Sequence, residues 1–146
     1  MTYRRRVPVE FNHCDPAGIV FYPRYFEMVQ SVVENFFREA MDYPYARMMA
    51  EGTGVPTVRI EMQFRAPSRL GEVLAFALVA TRVGRSSVRF RITAHGPGPQ
   101  GGEELRLNGE LTLVFASLKG AGSLPWPDPI WSRLETVRHR EPNEPA

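Results

Sequence analysis

The sequence predicts an α+β domain in which an antiparallel sheet carries one long helix. Three observations predict it. One stretch repeats its apolar residues at helical spacing, and four later stretches are strand-like, most of them alternating apolar and polar residues. The connections between those strands are too short to hold helices, which disfavours a doubly wound parallel sheet. The chain of 146 residues is about the length of one ordinary domain and leaves no room for separate catalytic and ligand domains.

The first strand is expected at about residues 3 to 11, at an edge or irregularity because Pro8 has no N–H to give to a ladder. From Pro23 to Asp42, the residues Phe26, Val29, Val32, Val33, Phe36, Phe37 and Ala40 form one apolar stripe, with Arg24, Glu27, Ser31, Glu34 and Arg38 along another. Pro23 suits the first turn of that helix, and its valines imply that burial against a sheet holds it. A turn-rich stretch through Tyr43-Pro44 and Gly52-Thr53-Gly54 follows. Val58, Ile60, Met62 and Phe64 then alternate with Arg59, Glu61, Gln63 and Arg65, which predicts a strand with one buried face. After a turn at residues 67 to 71, the nearly all-apolar run 73 to 83 predicts a central strand. Gly84 and Arg85 turn the chain into a strand whose apolar set is Val88, Phe90, Ile92 and Ala94, ending at Gly96-Pro97-Gly98-Pro99. The last strand is residues 105 to 117, with Gly109 marking a bulge. This makes residues 1 to 118 the domain. Residues 119 to 146, with five prolines, read as a tail that packs over it and frays at its end.

Composition narrows the function classes. With 43% hydrophobic and 23% charged residues the chain is globular in character, neither disordered nor collagen-like. Net charge is only +2, although 17 of the 18 basic residues are arginine. A nucleic-acid binder is not expected, because Phe64 and Phe90 fall on strand faces opposite Arg65 and Arg89 and offer no stacking platform beside them. The charge is uneven: residues 51 to 100 hold seven arginines against three glutamates, a local excess of +4. The lone Cys14 cannot form an internal disulfide, and three scattered histidines show no metal-ligand spacing. No window is apolar enough to span a membrane, and no signal-peptide core follows the N-terminal arginines, so the expected location is the cytoplasm, with no membrane partner.

The segment from His13 to Pro23 joins the first strand to the helix. It sets the carboxylate of Asp15 beside a helix N-terminus, where unpaired N–H groups and the dipole favour negative charge. From the residues alone, Asp15 is either a turn former or a catalyst, Asp-Pro being common turn chemistry. The run HCDPAGIVFYPRYFE resembles the signature of the 4-hydroxybenzoyl-CoA thioesterase family of hotdog-fold proteins, whose motif is D-x-x-G-x-V-x-[YF]-x-x-Y. Asp15, Gly18, Val20, Tyr22 and Tyr25 fill it in order, and the resemblance extends through the strand pattern to about residue 117.

That resemblance implies a five-stranded antiparallel sheet wrapped around one long helix. It implies hydrolysis of an aromatic, 4-hydroxybenzoyl-like, or short-chain acyl-CoA to free acid and CoA. Asp15 would act as nucleophile or general base, and the backbone N–H of Tyr22 would polarise the carbonyl. Pro23 has no N–H to offer. From the residues themselves, Gly18 either permits a tight turn or close approach of substrate or is a plain loop glycine, and His13, with no partner carboxylate or nucleophile, reads as structural or substrate-orienting rather than catalytic. A CoA partner calls for basic and hydroxyl groups, for which the resemblance singles out Arg85 and Ser87, with Arg82, Arg89 and Arg91 behind them. Phe26, Gln30 and Val55-Pro56-Thr57 are expected to wall an apolar acyl pocket near Asp15. The family's sites form where two subunits meet, which implies a homodimer or homotetramer with Val55 to Val58 of one subunit facing Asp15 of another. No cofactor and no metal are implied. The alternatives are a hydratase, whose His-Asp or His-Glu pair the segment at residues 13 to 15 does not reproduce, and a non-catalytic module that binds acyl-CoA or an acyl carrier.

Overall fold

The apolar stripe of the long helix needs a surface to cover, and a twisted sheet supplies it. In the computed structural model, which describes residues 1–120, 122–140, 142 and 144, the helix α1 runs from Tyr22 to Glu39. Pro23 sits in its first turn as expected. The helix stops short of Asp42, which turns the chain at φ +52°, a value that helical backbone cannot hold. Its buried face is Tyr25, Met28, Val29, Val32, Val33, Phe36 and Phe37. Phe36 meets Phe90 edge-on at 5.1 Å, which locks helix to sheet.

The sheet has five antiparallel strands: β1 (Tyr3–Pro8), β3 (Thr57–Phe64), β4 (Val73–Val83), β5 (Ser87–Pro97) and β6 (Glu103–Val114). Their order across the sheet is β1-β4-β5-β6-β3. Strands β4, β5 and β6 have neighbours on both sides and bury Leu74, Phe76, Leu78, Val88, Phe90, Ile92, Leu107, Leu111 and Leu113 under α1. Pro8 closes the edge strand β1, where its missing N–H costs least. A small second sheet pairs β2 (Thr53–Gly54) with β7 (Ala116–Ser117).

Four expectations change. The stretch after α1 holds a short helix, α2 (Tyr45–Ala50), whose single turn and a half is too brief to show a period. The last strand breaks at Phe115, and Ala116–Ser117 leave the main sheet to pair with β2. Gly109 marks no bulge, because the β6 register runs unbroken through it on both sides. A Cβ there would lie 2.2 Å from the Glu61 carbonyl oxygen, so glycine is needed for the close approach of β3. The apolar face of β3 is not buried within one chain: Val58, Ile60 and Phe64 are 60%, 41% and 45% exposed. The strand lies at the sheet edge, where α1 covers it only in part, through Tyr22, Tyr25 and Phe26 against Phe64.

The segment after residue 118 contains a further helix, α3 (Asp128–Val137), with Pro129 in its first turn and Ile130 and Leu134 in the core. Ahead of it Trp126 stacks on Phe115 and Phe37 at 5.1 and 6.0 Å. The expected fraying of the C-terminal end falls mainly on residues outside those described. No helix is long and apolar enough to cross a membrane among the described residues.

Gly109→Ala should lower unfolding stability by about 1–3 kcal/mol, because the clash is with backbone that cannot rotate away. Denaturant titration of the two proteins measures it, and an unchanged midpoint would contradict the reading of Gly109.

Candidate active site

The loop before α1 is fastened on three sides. It closes on itself through Asp15 N–H to the Ile19 carbonyl at 3.0 Å and Gly18 N–H to the Asp15 carbonyl at 2.9 Å. Gly18 takes φ +78°, which an L side chain rarely adopts, with open space where a Cβ would stand. The neighbouring segment 66–72 holds the loop from below: Val20 N–H donates to the Ser68 carbonyl at 2.9 Å, and Leu70 N–H to the Gly18 carbonyl at 3.0 Å. From the N-terminal side, Phe21 N–H reaches the His13 carbonyl at 3.0 Å.

This frame places a half-buried Asp15 beside the start of α1. One carboxylate oxygen accepts the Ala17 N–H at 2.8 Å, so the turn-forming role is real. The other oxygen has no protein partner among the described residues and is open for chemistry. The Tyr22 N–H, at the first position of α1, likewise donates to nothing among the described residues, as helix starts leave it. His13 is turned back: its Nδ1 accepts the Glu10 N–H at 2.9 Å, and it lines a cleft with Arg5, Arg6, Glu27 and Ser31. Cys14 is partly buried, its Sγ 3.6 Å from the Glu10 carbonyl oxygen.

The other half of the expected site lies at the far end of the sheet. Strand β4 begins at Val73, next to Pro8 and the Asp15 loop, and ends at Val83, next to the turn bearing Arg85 and Ser87. Ten residues of strand separate these ends, about 33 Å. Val55 and Pro56 belong to that far end too, since the Pro56 carbonyl accepts from Val114 N–H and Phe115 N–H reaches the Ser86 carbonyl. The turn there is preformed. Trp126 donates its backbone N–H to the Arg85 carbonyl at 2.9 Å and its indole N–H to the Ser87 carbonyl at 3.2 Å, leaving the Arg85 side chain exposed. The weaker candidates Arg82, Arg89 and Arg91 point from the face of the sheet opposite α1, the first two directly paired across β4 and β5. Among the described residues no group of three or more His, Cys, Asp or Glu comes together to hold a metal.

Comparison with known proteins bears on this arrangement. Residues 9–134, nearly the whole fold, match the thioesterase-like superfamily. The chain belongs to the thioesterase-like superfamily. That membership makes thioester hydrolysis its class of reaction. The chain is 27% identical over 114 residues to the 4-hydroxybenzoyl-CoA thioesterase of Pseudomonas sp. (strain CBS-3), covering 77% of this chain and 81% of that one. The solved structure of that enzyme superposes with a TM-score of 0.80 at 25% identity, over 91% of this chain and 98% of the other. A hypothetical protein of Thermus thermophilus superposes with a TM-score of 0.83 at 22% identity, over 96% and 100%. These folds are hotdog folds, and the five-stranded sheet with its long helix is one.

In this superfamily member two cavities flank α1. An apolar one of about 540 Å³ opens beside the Asp15 loop, lined by Ile19, Val20, Tyr22, Tyr25, Phe64 and Pro67 among others. A second, of about 250 Å³, lies further along the helix between Phe26, Gln30, Thr57 and Ile60. Phe26, Gln30 and Thr57 line this second cavity and not the one beside the Asp15 loop, while Val55 and Pro56 line neither. Burial pushes the neighbouring Tyr45 hydroxyl up to about 12, against the opposing effect of a hydrogen bond with Gln30.

Sequence reasoning passed over Phe64, whose ring contacts Tyr22, Tyr25 and Phe26 with centroids 5.6 to 6.2 Å apart. Its place on the apolar face of β3 was the available signal. It also passed over Trp126, Ser68, Glu72 and Arg106, whose partners are remote in sequence. The hydrogen bonds of Arg106 hold the Glu72 carboxyl below its ordinary value, outweighing the raising effect of burial. A depressed carboxylate stabilises the fold above the ordinary value of 4.5 and loses that contribution as pH falls through its lowered native value. Glu72→Gln should therefore unfold at lower temperature than the wild type at neutral pH and converge on it in strong acid. Melting temperatures across pH 2 to about 7 check this, and parallel profiles would remove the ion pair from the account.

Proposed function

We propose that the protein hydrolyses an aromatic, 4-hydroxybenzoyl-like, or short-chain acyl-CoA to free acid and CoA, in a homodimer whose sites each draw on both subunits. The observation that carries this reading is the division of the expected site between opposite ends of one antiparallel sheet. Strand β3 is an unpaired edge with an exposed apolar face, and it runs from the Val55 end to the Asp15 end. Two copies joined antiparallel along β3 by a two-fold axis would set the Val55–Val58 end of one against the Asp15 end of the other. The same operation would cover Val58, Ile60 and Phe64, and carry Arg85 and Ser87 toward the partner's Asp15 loop.

In such a site the thioester carbonyl lies between Asp15 and the start of α1. The free Asp15 oxygen either attacks the carbonyl carbon, expelling CoA thiolate and leaving an anhydride for water to open, or takes a proton from the attacking water. Both routes put negative charge on the carbonyl oxygen. The Tyr22 N–H, already unpaired, can receive it without reorganisation. The apolar cavity at Ile19, Val20 and Phe64 would hold the acyl group. The name of the curated relative, a 4-hydroxybenzoyl-CoA thioesterase, supports an aromatic acyl group. Arg85 would meet the CoA phosphates. His13, its Nδ1 taken up by the Glu10 N–H, would have a structural or orienting role, and Gln30 would contact a ring substituent.

Free-thiol release should be seen from 4-hydroxybenzoyl-CoA or butyryl-CoA. Asp15→Asn should lower kcat by about 10²-fold or more with the fold intact. A folded wild type inert toward aromatic and aliphatic acyl-CoAs alike would defeat the proposal. The shared site predicts complementation. Asp15→Asn and Arg85→Glu proteins, each weak alone at low substrate, should recover about a quarter of wild-type activity when unfolded and refolded together in equal amounts, since half the dimers then hold one intact site. No recovery would place both residues in one subunit's site.

A further inference from the structure

A guanidinium is expensive to bury unless every donor finds a partner, and such a group is retained where it organises something. Arg106 is 2% exposed. Its burial is arranged by three separate features of the sequence. Between Ala94 and His95 the β5 strand advances one residue while β6 advances two, so Arg106 is the extra residue of a bulge that re-aims its side chain. Gly96 leaves it room, since a Cβ there would lie 2.8 Å from the guanidinium carbon. Glu72 and Glu104 neutralise it, with Glu104 Oε1 3.0 Å from Nε in charge contact without the alignment of a hydrogen bond.

What this side chain holds is the floor of the Asp15 loop. One terminal nitrogen donates to the Pro67 carbonyl at 3.0 Å, Ser68 Oγ at 3.1 Å and Glu72 Oε1 at 2.9 Å. The other donates to Glu72 Oε2 at 2.9 Å and to the Pro97 carbonyl. Ser68 Oγ also accepts the Tyr25 hydroxyl at 2.9 Å from the first turns of α1. The Ser68 carbonyl receives Val20 N–H, and Leu70 N–H holds Gly18, so both sides of the loop hang from the segment that Arg106 clamps. Glu72 closes the frame, its carbonyl accepting Val9 N–H at 2.8 Å.

We propose that Arg106 is a positioning residue for thioester hydrolysis, fixing the Asp15 carboxylate relative to the Tyr22 N–H through Ser68 without touching substrate. It rests on the reading of Asp15 and Tyr22 given above. Loss of the clamp lets the loop shift against α1, and a displacement of about 1 Å at a reacting group can cost about 10²-fold in rate. The CoA phosphates are met by Arg85 and Ser87 of the second copy in the dimer proposed above, so Arg106 takes no part in binding CoA.

The test is steady-state kinetics on 4-hydroxybenzoyl-CoA and butyryl-CoA, with folding followed by circular dichroism. Arg106→Met should lower kcat about tenfold or more while KM stays within twofold, and Arg106→Lys should recover part of the loss. Backbone amide exchange at Val20 and Leu70 should accelerate in the Met variant. A folded Met variant with kcat within twofold of wild type, or with KM raised and kcat unchanged, overturns the proposal. If the Met variant does not fold, Gly96→Ala, which displaces the guanidinium, and Tyr25→Phe, which cuts only the Ser68 link, carry the test. Both should lower kcat at unchanged KM, and wild-type kcat in both overturns it. Asp15→Asn is assayed alongside: full turnover there removes the underlying reading, whereas its collapse beside an active Met variant removes Arg106 alone.

Discussion

Antiparallel pairing puts the two ends of the sheet about 33 Å apart, and the candidate site residues of this chain are divided between them. The loop that carries Asp15 sits where β1 ends and β4 begins, and the turn that carries Arg85 sits where β4 ends and β5 begins. No side chain spans that distance. A site that uses both ends therefore needs a second surface to bring them together. The uncovered apolar face of β3 is the same constraint expressed as energy: three large side chains left exposed at an unpaired strand edge are costly in isolation and valuable at an interface.

The two ends are built differently. At the Asp15 end the backbone is held by polar bonds from the buried Arg106, Ser68 and Glu72, which fix geometry tightly and reward alignment. At the Arg85 end the turn is backed by an aromatic stack of Trp126 on Phe115 and Phe37, and tied by hydrogen bonds from the Trp126 indole and backbone N–H and from the Phe115 N–H. The first construction suits a reacting centre, where fractions of an ångström matter. The second suits a phosphate contact, where a long, exposed arginine finds its own geometry.

Periodicity read the long helix and the strands well, because each buries one face and the spacing records it. It failed where length or cover was the question. Tyr45–Ala50 is too short to display a period, and Pro127 and Pro129 read as breakers although proline is tolerated in the first turn, where α3 places Pro129. The Ile130 and Leu134 spacing was the overlooked signal. For β3 the alternation put Ile60 and Phe64 on one face, but a bulge between Thr57 and Arg59 sets Thr57, not Val58, opposite buried Leu113, and a pattern states which face seeks cover and not what covers it. The loop motif was legible because Asp15 to Tyr25 are contiguous. Arg106 was not, since its partners Pro67, Ser68 and Glu72 precede it by more than thirty residues and nothing local in the strand distinguishes it.

The motif itself divides by physical role, which explains why only part of it speaks to chemistry. Asp15 alone contributes a carboxylate, and one of its oxygens is given to its own turn. Gly18 is required by a positive φ. Val20 contributes a backbone donor to Ser68 and a buried side chain. Tyr22 contributes an unpaired N–H that any residue except proline would supply, its exposed ring being free to shape the cavity. Tyr25 contributes a hydroxyl that reaches Ser68 and so joins α1 to the Arg106 clamp. Four of the five positions therefore set the place of the fifth. A carboxylate at residue 15 on a loosened loop would keep the motif's chemical group and lose the geometry that gives the group a reaction to perform.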